Sequence, residues 1–278
     1  MKLSKGKIIL IILVVYFIIF AVINVNKEKD INKKVIQEVT YVKNGKLDKK
    51  NEGKLVLVSG KISYDELVSF IELDENFGTI KINRKVEDFV KYYNEVNNKT
   101  EYKWQERKEV TNTDKTDYLK TITSEEKISK VGIGDFTLDE KGLSLIPANK
   151  HYAKQEKIGD LITTGIDYSR DPYEEDLKEG DMRITYKYYE LDKYPYISIL
   201  AIQKGNSFEP YKIDKNNEVY ELFVGKIDNK KKLSKELKLN VKNTIRGKSL
   251  FILIILIIGI FLIVDNKKTK KWGKLYLR

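Results

Sequence analysis

The chain has no cysteine and a single histidine, His151, in 278 residues. Without thiols it forms no disulfide, offers no thiolate nucleophile and builds no zinc–thiolate site. With one imidazole, any Ser-His-Asp arrangement hangs on His151 alone, and that residue lies in the polar stretch IPANKHYAKQ, which has turn character. Neither GxxxxGK[ST] nor GxGxxG occurs, so the commonest phosphate cradles are missing. The densest acidic cluster, Glu174-Glu175-Asp176, lacks the ligand spacing and turn glycine of an EF-hand and reads as a solvated run after Pro172. The expectation is a protein with no catalytic residues, no cofactor and no metal site.

Charge is absent from two long segments. Ile8 to Ile23 (IILIILVVYFIIFAVI) and Leu250 to Val264 (LFILIILIIGIFLIV) contain no ionisable acid or base of ordinary strength. A water-facing helix shows a polar stripe every turn, and these show none. At 1.5 Å per residue each run spans roughly 22 to 24 Å, a little short of the ~30 Å hydrocarbon core, so polar flanks must snorkel or the bilayer thin. Both runs are read as transmembrane helices. Lys2, Lys5 and Lys7 would also suit a secretory signal, but the first run ends in AVINVNKEKD without a pair of small residues at cleavage spacing, so an uncleaved anchor is expected.

The net charge of +11 belongs mostly to the ends. Residues 1–24 carry three lysines, and residues 249–278 carry five lysines, Arg278 and Asp265, which leaves +3 for the 224 residues between. A nearly balanced surface gives no electrostatic footprint for nucleic acid, and none is expected as a partner. Basic tails beside each apolar run favour cytoplasmic termini and an extracytoplasmic middle, although lysines also flank the runs on the domain side.

Periodicity divides the rest. Ile31, Val35, Val39 and Val42 recur at helical spacing up to Asn44-Gly45, and Leu233, Leu237, Val241 and Ile245 form a second stripe among lysines. Between them the period falls to two: Lys54–Ile62, Thr79–Val90, Glu101–Val110, Met182–Leu191, Tyr196–Gln203, Phe208–Ile213 and Val219–Ile227 read as strands, with Tyr196–Gln203 apolar enough to be central. Tyr64–Leu73 is ambiguous between helix and strand, and Asn97–Glu126 reads as long exposed strands or a hairpin. The eighteen tyrosines are expected half-buried on strands. The fold class is therefore α+β. A tail (1–7) and a span (8–25) lead to a juxtamembrane helix (26–50). A β-rich extracytoplasmic domain (51–228) follows, then an amphipathic juxtamembrane helix (229–248), a span (249–264) and a basic tail (265–278).

Three segments carry a resemblance. Asn51-Glu52-Gly53-Lys54-Leu55-Val56 is followed by Val58-Ser59-Gly60; Gly180-Asp181-Met182-Arg183 opens a strand; Ile199 to Gly205, including Gln203, is closed by Pro210-Tyr211. Weaker matches are Lys81, Arg84, Val86-Glu87, Trp104 and Ile133-Gly134 before Phe136 and Leu138. In these the chain resembles the transmembrane protein 43 (LUMA) family, as a bacterial-type member with a shortened C-terminal membrane region. The family often has histidine where this chain has Leu57, and usually several spans after the domain. The resemblance implies a membrane-anchored scaffold whose large loop lies on the lumenal or extracytoplasmic side, with a bacterial plasma membrane as the counterpart for this cysteine-free, Lys/Ile/Asn-rich chain. It also implies motif residues Asn51, Glu52, Gly53, Gly60, Trp104, Gly180, Asp181, Arg183, Gln203, Gly205 and Pro210, read as fold-maintaining. A buried Arg183 needs an acidic or carbonyl partner.

The expected function is a non-enzymatic integral membrane scaffold. Its partners are the lipid bilayer and either other membrane proteins or further copies of itself. The competing expectations are an extracytoplasmic sensing or ligand-binding module and a hydrolase using two carboxylates of separated pKa.

Overall fold

A computed structural model describes residues 5–110, 118–171, 173–215 and 217–238. The chain divides into two units, one formed by Thr40–Ile227 and the other drawn from the two ends, up to Val39 and from Asp228.

In the terminal unit, α1 (Lys5–Glu38) is one uninterrupted helix of 34 residues. It contains both the first apolar run and the stretch after it. Tyr16, Ile19, Phe20, Val22 and Ile23 are exposed on it, and Asn24 Nδ2 donates to the Phe20 carbonyl at 2.8 Å, closing a polar group back onto the helix. Residues 230–238 are helical as well. Asn229 caps them, its Oδ1 accepting from Lys232 N at 3.0 Å. Leu233 and Leu237 of the second stripe are buried, as is Val35 of the first, and Asn32 Nδ2 donates to the Leu237 carbonyl at 3.3 Å. The two helical segments therefore lie side by side. The expected span 249–264 and tail 265–278 fall outside the described residues, and among those described no helix is long and apolar enough to cross a membrane.

The helical stripe expected to reach Val42 stops at Glu38. Val39-Thr40-Tyr41-Val42 is a β-branched and aromatic run, and pairing with a neighbouring strand wins over continued helix. The strand unit begins there. In chain order come β1 (Thr40–Lys43), β2 (Leu55–Tyr64), β3 (Lys81–Asn94), β4 (Lys99–Glu106), β5 (Glu125–Ile128) and β6 (Val131–Ile133). Next are β7 (Phe136–Thr137), β8 (Lys150–His151), β9 (Lys157–Ile158), β10 (Leu161–Thr163), β11 (Tyr168–Ser169) and β12 (Met182–Tyr188). Last are β13 (Tyr196–Lys204), β14 (Ser207–Glu209), β15 (Tyr211–Asp214), β16 (Asn217–Val219) and β17 (Glu221–Val224). Two short helices interrupt them, α2 (Tyr118–Thr121) and α3 (Glu140–Ser144). Tyr64–Leu73 forms no helix; past β2 it runs as loop with one bridge, Val68 to Thr79. The expected strand Phe208–Ile213 is split at Pro210, which has no N–H for a ladder.

One sheet has the order β14-β13-β2-β6-β7, with β1 on β2 and β17 on β13. β13 is central, as its apolar sequence requires. The ends of this sheet meet: Thr137 N donates to the Asn206 carbonyl at 2.8 Å, Ser207 Oγ to the Thr137 carbonyl at 3.1 Å, and the Phe136 and Phe208 rings stack 5.1 Å apart. Val56, Val58, Ile133, Ile197 and Ile199 are buried with these rings. The Asn44-Gly45 and Gly134-Asp135 turns touch through backbone alone. A Cβ on Gly45, where φ is +64°, would stand 2.1 Å from the Ile133 oxygen. Asp135 N donates to the Gly45 carbonyl at 2.8 Å.

The other large sheet has the order β4-β3-β12-β11-β10-β9, with β5 on β3 and β8 on β12. Among the described residues no strand pairs with the outer side of β4 or of β9, so it stays open at both edges. Ile82, Val86, Ile184 and three wholly buried tyrosines, Tyr152, Tyr168 and Tyr186, fill its core. Tyr186 meets the other two edge to face at 6.4 and 6.0 Å. These tyrosines are more buried than their strand positions led us to expect, and each hydroxyl has a partner. β3 pairs with β12 only from Ile82 to Asp88, whereas its pairing with β4 runs from Glu87 to Asn94. The distal half of the β3–β4 hairpin therefore projects as a two-stranded ribbon. Of the run Asn97–Glu126, expected as long exposed strands or a hairpin, β4 is an exposed strand and Tyr118–Thr121 is helix, while residues 111–117 lie outside the described residues.

Candidate functional site

The sequence motifs gather into two corners on different sheets. In the first, a short 3-10 turn (Lys49–Asn51) leads into Glu52 and Gly53. The Glu52 carboxylate accepts from Gly205 N at 2.9 and 3.2 Å, Gly53 N donates to the Gln203 carbonyl at 3.0 Å, and Gln203 Nε2 donates to the Asp48 carbonyl at 2.9 Å. Asn51, Glu52, Gly53, Gln203 and Gly205 are thus one clasp, which holds the β13–β14 turn against the start of β2. Gly60 lies further along β2, where a Cβ would come within 2.7 Å of Ile133 Cγ2. Pro210 stands apart, half-buried between β14 and β15.

The second corner joins β3, β4 and β12. Arg183 faces Glu87 across the β12–β3 pair and its Nε donates to Glu87 Oε2 at 2.9 Å, supplying the acidic partner expected for it. Its guanidinium also lies 4.4 Å over the Trp104 ring, with Glu174 at 3.3 Å. Lys85 Nζ reaches the other Glu87 oxygen at 2.6 Å. Burial pushes the Glu87 carboxyl up, but the hydrogen bonds and charges of Lys85 and Arg183 outweigh it and hold its pKa below the usual value. Gly180 and Asp181 form the turn before β12; Lys178 N donates to Asp181 Oδ2 at 2.6 Å.

A third constellation was not singled out from the sequence. Arg84 on β3, only a weak family match, is buried and fully engaged. Its Nη1 pairs with Glu72 at 2.6 Å, Nη2 with Glu125 at 3.1 Å and Nε with the Thr123 carbonyl at 2.9 Å, while its plane covers the Phe70 ring at 4.2 Å. The Glu72 side chain is 4% exposed and accepts from the Tyr118 and Tyr186 hydroxyls, each at 2.8 Å. Burial raises the Glu72 pKa, and the donors Arg84, Tyr118 and Tyr186 together more than reverse that, so it stays ionised. Burial beside this anion pushes the Tyr118 hydroxyl up to about 12 and the Tyr186 hydroxyl higher still. Arg107 fixes the neighbouring wall: it pairs with Asp88, and its Nη1 donates to the Leu119 and Ile122 carbonyls at 2.8 and 3.2 Å. No sequence signal marked Glu72, because it sits in the ambiguous YDELVSFIEL stretch and meets its partners only in the fold.

Beside this network opens a cleft of about 640 Å³, lined by Ile71, Glu72, Tyr118, Leu119 and the β9–β10 turn, Lys157 to Asp160. Gly159 lets the wall close: with φ +60°, its missing Cβ would stand 2.9 Å from Leu119 Cδ1. His151 is remote from these groups in its bonding, its Nδ1 lying 3.0 Å from the Ile166 carbonyl. Among the described residues no group of three His, Cys, Asp or Glu side chains is placed to hold a metal. In the Glu174–Asp176 run, backbone amides of Tyr173 and Asp176 donate to Asp171 instead.

The fold is thus a strand-rich domain joined at both ends to helices, with its motif residues spent on turns and strand junctions. The family described as Transmembrane protein 43 matches residues 76–270, and the chain belongs to that family. Membership indicates a membrane protein, from a family not known for enzymatic activity. No curated protein and no solved structure matched the chain.

Proposed function

We propose that the chain is a two-pass membrane scaffold. The runs Ile8–Ile23 and Leu250–Val264 span a plasma membrane, the termini are cytoplasmic, and the strand-rich domain outside the cell gathers other membrane proteins or further copies of itself. The observation that carries the scaffold reading is the β3–β4 ribbon. It projects beyond the sheet with strand edges that pair with no other strand among the described residues, with exposed Tyr93 and Tyr102, and with Val96 at its tip 97% exposed. A free strand edge with aromatic side chains is the surface through which sheets add a foreign strand. The side-by-side packing of α1 and residues 230–238 supports anchorage at both ends, since it keeps the two chain exits of the strand unit tied together.

The test is cross-linking in native membranes from a photoreactive residue at Val96. A reproducible adduct, with self or another membrane protein, is expected; only monomer at every ribbon position would overturn the scaffold. Reporter fusions at residue 150 and at the C-terminus check orientation, and cytoplasmic activity at residue 150 would invert it. The cleft beside Glu72 favours a second reading, an extracytoplasmic ligand-binding module, because it combines apolar walls with a few converging polar groups.

A further inference from the structure

The geometry points to a binding site for a single-chain anionic amphiphile in the cleft between the Ile71–Glu72 stretch, α2 and the β9–β10 turn. This rests on the ligand-binding reading above and names the chemistry of what enters. The cleft volume, about 640 Å³, lies within the range of small-molecule sites. Its apolar lining is aliphatic: Leu119 and Ile158 are buried in the wall, and Ile71 stands at the mouth with 88% of its surface in water. An isoleucine so exposed beside a concave apolar wall offers a covering surface for an alkyl chain, and an alkyl chain gains from each methylene it takes out of water.

Charge decides the head group. Among the described residues, three of full charge line the cleft besides the neutral Tyr118 hydroxyl. Glu72 is neutralised by Arg84 at 2.6 Å and saturated by two tyrosine hydroxyls. Asp160 is neutralised by Arg170, whose Nη2 lies at 2.9 Å and Nε at 3.0 Å. Lys157, on the exposed face of β9, has no ion pair, hydrogen bond or ring contact among the described residues. Among the described residues, the lining charge left over is therefore positive. A cationic head would meet Lys157 without an available anion, whereas a carboxylate or phosphate head would pair with it. Glu72 is not freed for a cationic head, because Arg84 is held in place beside it by Glu125 and the Thr123 carbonyl as well.

The test uses the full chain in nanodiscs of neutral lipid, with radiolabelled dodecanoate as probe and empty discs subtracted. Saturable binding is expected, displaced by dodecyl phosphate but not by dodecyltrimethylammonium or inorganic phosphate. Decanoate should bind at least fivefold more weakly than dodecanoate, since each buried methylene is worth about fourfold in affinity at full burial. Lys157→Glu should weaken binding at least tenfold and Lys157→Arg should restore it; Ile71→Asp, at an exposed position, should weaken it several-fold. Displacement by lyso-phosphatidylglycerol, the single-chain form of a membrane lipid, identifies a membrane lipid as the natural source, and its failure identifies a free amphiphile; both support the assignment. Equal binding of the cationic amphiphile, or Lys157→Glu without effect, overturns the anionic assignment while leaving a ligand-binding cleft. No saturable binding of any amphiphile overturns both.

Discussion

The two large sheets solve the problem of strand edges in opposite ways. The sheet centred on β2 and β13 curls until β7 and the β13–β14 turn bond to one another, with Phe136 stacked on Phe208 across the seam. The sheet centred on β3 and β12 keeps both edges free among the described residues and sends out a ribbon. The stabilising groups differ accordingly. The closed sheet relies on aliphatic burial and close backbone contact, as at Gly45 and Gly134. The open sheet relies on buried tyrosines and ionic groups, Arg84 with Glu72 and Arg183 with Glu87. A closed apolar sheet is a frame; an open sheet with fixed charges and an exposed edge has surface left for partners.

That contrast can be broken by mutation, and the largest effect belongs to the frame. Phe136→Ala should cost about 3–5 kcal/mol by removing the seam stack and leaving a cavity. Denaturant unfolding of the detergent-solubilised chain measures it, and a loss under 1 kcal/mol would mean the seam does not hold the sheet. Arg84→Met should cost about 3 kcal/mol, because Glu72 is left buried without its cation. A hydrophobic replacement of both partners, Arg84→Met with Glu72→Leu, should recover much of that loss.

Acid sharpens the distinction. Glu72 and Glu87 have folded pKa values below their ordinary 4.5, so their stabilisation is complete above about pH 4.5 and is lost as pH falls through the depressed values. Lowering the pH below 4 should therefore release protection from hydrogen exchange in β3 and β12 before β2 and β13. Glu72→Gln should flatten that acid limb for β3; equal loss in both sheets would erase the contrast. The smallest effect is expected at the ribbon tip. Val96→Ser should change stability by less than about 0.5 kcal/mol, since the side chain is solvated, yet reduce cross-linking from the ribbon.

The strand content was legible because alternation at Met182–Leu191 and the apolar run Tyr196–Gln203 report burial directly, and β12 and β13 fall there. Three hairpins close over a glycine–polar pair, at Gly134-Asp135, Gly159-Asp160 and Gly205-Asn206, where a glycine with positive φ opens a two-residue loop. The helix end at Glu38 was not, since Val39 and Val42 fit a helical stripe and a strand equally well. The Arg183 partner was predicted by type and found in Glu87. The Glu72 network was illegible: its members are up to 114 residues apart and sit in segments whose local pattern favours no single structure.

The closed sheet also dictates when this protein can finish folding. Its middle is made by β2 and β13, whose Ser59 and Ser198 hydroxyls lie 2.7 Å apart across 139 residues of chain, and Ser59 also binds the Ile227 carbonyl. During synthesis β2 must wait, with both faces apolar, until nearly all of the unit has left the ribosome. Contacts of such sequence separation form slowly. The open sheet needs the chain only as far as β12, which leaves the ribosome before β13, and its β3–β4 ribbon is a local hairpin complete earlier still.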